Sequence, residues 1–173
     1  LVRRDLIHVT STLAQILGGL CLAVGEEPAG LDPVGLACRA ELTPAEGLAV
    51  LASWSAALCG ASLTAVDLSL LDRALDVLRS DPAASPGPAD LLSVIGDLIE
   101  HPPFVGADLP ARLASAAGGT LAGLFAPNPA LADPPALVVF DLRSVPDRAR
   151  PAVMSCVLSW AWSRTLGSDR HGD

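Results

Sequence analysis

The chain has 173 residues, 51% of them hydrophobic, and carries a net charge of −8. That length and apolar content support one domain, or one core with an appendage, and exclude wholesale disorder. All 11 basic residues are arginine. Without a lysine these residues hold no P-loop and no Schiff-base chemistry, and the acidic balance argues against a binder of nucleic-acid backbones.

Residues 3–24, "RRDLIHVTSTLAQILGGLCLAV", set two arginines ahead of an apolar stretch, as an export leader does. Asp5, His8, Thr10, Ser11, Thr12 and Gln15 interrupt it, and the apolar run 16–24 is too short to span a bilayer. The first residue is Leu rather than Met, as in a fragment or a processed product. Residues 13–17 read as helix, ended by Gly18 and Gly19. The run 20–24, closed by Gly25, reads as a short buried strand, and "EEPAGLDP" then turns.

From residue 43 the pattern becomes helical. Thr43 with Glu46 forms a capping box with Pro44 in the first turn, and the helix should run to Cys59 and stop at Gly60. Thr64 with Asp67 starts a second helix, with Leu68, Leu71, Leu75 and Leu78 at helical spacing. "SDPAASPGPAD" is a linker. Asp90 is expected to cap a third helix to about Glu100, where "HPP" stops it, and residues 109–117 form a fourth. After the irregular "APNPALADPP", residues 137–141 ("LVVFD") read as a strand, and a helix follows from about 151 to 166.

Apolar strands joined through helices predict an α/β fold: a partial parallel sheet with flanking helices and an all-helical insertion, helix-rich as a whole. On this reading 1–42 and 118–173 are the two parts of the α/β core, and 43–117 is the insertion.

Asp141 ends an apolar strand, the position where α/β folds place ligand chemistry. The bland alternative is an aspartate that caps its loop or accepts from Arg143 or Arg148. Arg143, Arg148 and Arg150 cluster after the strand and could stabilise phosphoryl charge, or simply balance Asp147. Trp160 and Trp162 stand about 200° apart on a helix, so one should pack on the sheet while the other borders a contact. The cysteines at 21, 38, 59 and 156 lack C-x-x-C spacing, which fits reduced, mostly buried thiols rather than zinc or a disulfide scaffold. No G-x-S-x-G elbow supports a serine hydrolase, and "GGTLAGLF" at 118–125 is a turn feeding an apolar segment rather than a dinucleotide loop.

The stretch 118–165 resembles the region before the Walker B strand in conjugative-transfer ATPases of type IV secretion (the VirB/TraC type), within the FtsK/HerA-like group of P-loop motors. Gly119, Leu121, Gly123, Leu124 and Phe125 match one motif, residues 137–142 a second, and Arg150, Pro151, Trp160, Trp162 and Arg164 a third. Before residue 43 the match is looser: Asp5, Leu13, Leu17, Gly18, Gly19 and "AGLDPVGLA" fit, while the family's acidic stretch after Asp5 is "DLIHVTS" here. Walker A and Walker B are both missing from these residues. The resemblance therefore implies the middle segment of an ATPase powering type IV secretion, not competent for ATP hydrolysis alone. ATP and Mg²⁺ would be bound by the intact parent, with no metal site in this segment. Asp141 and Arg143 would lie near nucleotide. The parent would be a hexamer in contact with secretion-channel proteins, cytoplasmic at the inner face of the cell membrane and peripheral to it through partners, without direct nucleic-acid binding by this segment. The rival reading is a non-catalytic, α-rich protein-interaction module; the third is an exported protein.

Overall fold

The computed structural model describes residues 12, 14, 16–25, 30–81 and 85–169. The arginine pair, Asp5, residues 13 and 15 of the expected helix at 13–17 and the centre of the linker lie outside these residues.

The α/β reading holds in a helix-rich form. Strand β1 (Leu20–Ala23) lies parallel to β2 (Val138–Asp141), with Leu20 opposite Val138 and Ala23 opposite Asp141. Parallel neighbours need a crossover connection, and five of the six helices described below lie between them, the longest following β2. Seven of the eight strand residues are half-buried, not enclosed as expected; only Leu22 is buried. Each strand in this pair has one paired edge, so neither is shielded like the centre of a wider sheet.

Helix α1 (Pro33–Ala37) begins at the last residue of the expected turn and occupies residues for which no element was expected. Helix α2 (Pro44–Cys59) has the capping box at Thr43 and Glu46, and ends at Gly60 with φ of 64°, a backbone conformation glycine adopts without a Cβ clash. Helix α3 (Ala65–Arg79) is boxed in the same way: Thr64 N–H donates to Asp67 at 2.9 Å and Asp67 N–H to the Thr64 hydroxyl at 3.1 Å. Its buried face is centred on Leu70, Leu71, Ala74, Leu75 and Leu78; that centring leaves Leu68, expected inside, 40% exposed. Helix α4 (Pro88–Leu98) begins earlier than expected. Pro88 occupies the first turn, and Asp90 sits three residues in, accepting from Gly87 N–H at 2.8 Å, so it is not the cap itself. Helix α5 (Leu109–Ala117) keeps its expected bounds, two 3-10 turns follow at Ala122–Phe125 and Pro129–Leu131, and α6 (Arg150–Asp169) closes the described chain.

Helix α6 packs along α2, where the Ser53 and Ser155 hydroxyls meet at 2.8 Å, and α3, α4 and α5 stack in sequence. One apolar cluster runs from Leu22 through the helical block to Val153. At its centre Trp54, 1% exposed, meets Phe125 edge to face at 5.5 Å. Two arginines tie helices together. Arg79 donates to the carbonyls of Ala37, Arg39 and Leu42, closing the link from α1 to α2. Arg112 of α5 pairs at 2.8 Å with the buried Asp67. Among the described residues no helix is long and apolar enough to cross a membrane.

Candidate functional site

The carboxyl end of the parallel pair carries the first candidate. The ladder continues one residue past β1, where Val24 N–H donates to the Asp141 carbonyl at 2.9 Å. The Asp141 carboxylate, 11% exposed, accepts from the Arg143 backbone N–H at 3.0 Å and from its Nε at 3.0 and 2.9 Å, with a further ion pair to the guanidinium. The Arg143 side chain and its N–H hold the carboxyl below the ordinary carboxylate range, against the effect of burial. Asp141 is thus an anion with its lone pairs already engaged by its neighbour, an unsuitable general base.

The three arginines after β2 are dispersed into local pairs. Arg148 donates to the Thr120 hydroxyl at 2.8 Å, tying "GGTLAGLF" to the β2–α6 link, and Arg150 pairs with Asp147 at 2.8 Å. The tryptophans divide as their spacing requires. Trp160 meets Phe140 of β2 edge to face at 5.4 Å, with the Arg164 guanidinium 6.0 Å from its ring centre, while Trp162 is 64% exposed. Of the four thiols, all free, only Cys156 is buried; Cys21 on β1, Cys38 at the end of α1 and Cys59 at the end of α2 are half-buried. Burial pushes Cys38, Cys59 and most strongly Cys156 upward, which keeps them protonated and poorly nucleophilic.

A second place has more room. A cleft of about 710 Å³ opens between α1, the end of α3, residues 127–132 and α6, with Leu36, Leu131, Cys156 and Trp160 among its walls. Asp32 caps α1 at its edge, and its Oδ1 accepts from Val34 N–H and Gly35 N–H, both at 3.0 Å. Burial, reinforced by Asp90, pushes Asp32 up to about 6, against the two backbone bonds and Arg39. The sequence reading missed this residue. The signal was present, since Asp followed by Pro is a helix N-cap with proline in the first turn.

ATP and Mg²⁺, implied by the family resemblance, do not fit the described residues as they stand. Asp141 is closed on Arg143, no lysine is available to a phosphate, and among the described residues no three His, Cys, Asp or Glu side chains come together.

No family model and no curated protein matches this chain. Among solved structures it is similar to that of VirB4 of Thermoanaerobacter pseudethanolicus, with a TM-score of 0.65 and 22% identity, over 92% of this chain and 46% of that one. The two share a fold, and the chain spans less than half the length of that relative.

Proposed function

We propose that this chain is a segment of a type IV secretion ATPase of the VirB4 kind, contributing sheet scaffold and helical surface. The observation that carries the reading is the shared backbone along nearly the whole chain, and the motif resemblance at 118–165 supports it independently. In this reading ATP and Mg²⁺ are held by parts of the parent that these residues do not supply. The parent assembles with copies of itself and with secretion-channel proteins at the cytoplasmic face of the inner membrane. Asp141 and Arg143 lie at the strand end nearest the nucleotide, and this segment alone does not hydrolyse ATP.

The parent reading frame tests this directly. It should encode G-x-x-x-x-G-K-[ST] upstream and an apolar strand ending Asp-Glu downstream; a frame with neither rules out a motor. A thermal-shift assay of the 173-residue chain should show no Mg-ATP stabilisation. A second reading, a non-catalytic interaction module, is favoured by the closure of Asp141 on Arg143. It requires the absence of both motifs from the parent.

A further inference from the structure

We propose that Asp32, opened by the missing side chain of Gly35, is the anionic centre of a cleft that binds an organic cation on an aliphatic stem, an alkylammonium or a guanidinium. Nothing in the secretion-ATPase reading requires this site, and the inference stands apart from it.

The geometry begins with the two carboxylate oxygens. Both backbone donors reach Oδ1, which fixes the carboxylate in orientation. Among the described residues Oδ2 has no hydrogen-bond partner, and it is not one of the sealed, unpartnered polar atoms, so it opens outward. Gly35 makes this opening: a Cβ at that position would lie 2.4 Å from Oδ2. Both residues line the cleft.

The surroundings select the ligand. A carboxylate drawn out of water with no bonded cation gains most from a cation brought to it. Arg39 acts on Asp32 through space without forming an ion pair, and Asp90 opposes the charge. The lining carries Asp32, Glu41 and Asp81 against Arg39 and Arg79, and the Arg79 guanidinium is already bonded to three carbonyls, so the balance opposes an anionic ligand. A metal ion would find one open carboxylate oxygen and, among the described residues, no cluster of further ligands. The walls formed by Leu36, Leu131 and Trp160 suit a hydrocarbon stem, and the volume lies in the range of small-molecule sites. An ammonium or guanidinium supplies the missing donor to Oδ2, as a charge-assisted bond.

The test is an NMR titration of the 173-residue chain at pH 7.5 with three probes: n-butylammonium, Nα-acetyl-lysine N-methylamide, and neutral n-butanol. The reporters are the Val34 and Gly35 amides, whose N–H groups are bonded to Asp32. We expect saturable shifts with a cationic probe and none with butanol. Asp32→Asn, which retains an N-capping side chain, and Gly35→Ala, which fills the space over Oδ2, should each weaken binding about tenfold or more. Circular dichroism checks that both variants remain folded. Tighter binding of the free amine identifies a small-molecule ligand, and tighter binding of the lysine derivative identifies a basic side chain of a partner protein; either supports the site. Silence with both cations, equal response to butanol, or unchanged affinity in folded Asp32→Asn overturns it.

Discussion

At the scale of single residues, Asp32 and Asp67 make opposite contributions to stability as pH changes. The folded pKa of Asp32, about 6, lies above the ordinary 3.8, so the folded chain holds this proton more tightly than the unfolded chain. Its stabilising effect is complete below about pH 4 and is lost as pH rises to about 6. Asp32→Asn should therefore gain up to about 3 kcal/mol over the parent chain at pH 7, with little difference at pH 4, as read from urea melts at both values. For Asp67 burial works upward, but bonds from Thr64 and Arg112 outweigh it and the net shift is down. That contribution is present above the ordinary carboxylate range and is lost on acidification below about pH 4. Arg79 is a third case. Its one guanidinium satisfies three carbonyls at the close of α1. Arg79→Met should cost about 2–3 kcal/mol in chemical denaturation. Arg79→Lys should recover only part, because an ammonium cannot reproduce the planar fork.

At the scale of elements, helix contacts turn on small residues. Gly47 lies where α2 crosses α1, and a Cβ there would come within 2.5 Å of the Ala37 carbonyl and 3.0 Å of the Arg79 guanidinium. Gly47→Ala would gain up to about 1 kcal/mol in helix propensity, yet overpacking against backbone costs about 1–3 kcal/mol. We expect a net loss of melting temperature, accompanied by loosening around Arg79. Helix α6 offers an optical test. Trp162 is exposed and Trp54 enclosed, so iodide should quench Trp162 first, and Trp162→Phe should remove most of the quenchable emission. These elements were legible where the signal is local. Thr43 with Glu46, Thr64 with Asp67, and Gly60 each act within one turn, and each stands where its chemistry put it. Asp90 was misplaced because an aspartate suits the third position as well as the cap. Leu68 was placed inside because four leucines at helical spacing do not say where the buried arc is centred.

For the molecule as a whole, the parallel pair was readable from two apolar runs and the helices between them. Its width was not, since half-burial depends on what else lies beside the strands. The site was less legible. Asp141 and Arg143 were brought together, but as a closed ion pair, which no spacing rule distinguishes from a pair turned toward a ligand. The cleft around Asp32 joins residues from four separated stretches of chain, and only the folded backbone brings them to one place.

The β1–β2 ladder joins residues more than a hundred positions apart, and this has a consequence for biosynthesis. The capped helices can form as each segment leaves the ribosome, whereas β1 cannot pair with β2 until more than a hundred further residues have been translated. Long-range parallel pairing is slow to form, and an unpaired edge left waiting is open to neighbours. Pulse-labelled hydrogen exchange during refolding should protect the amides of α2 and α3 first and the amide of Leu22 last. This part of the nascent protein would thus be most exposed to aggregation in the interval between emergence of β1 and emergence of β2.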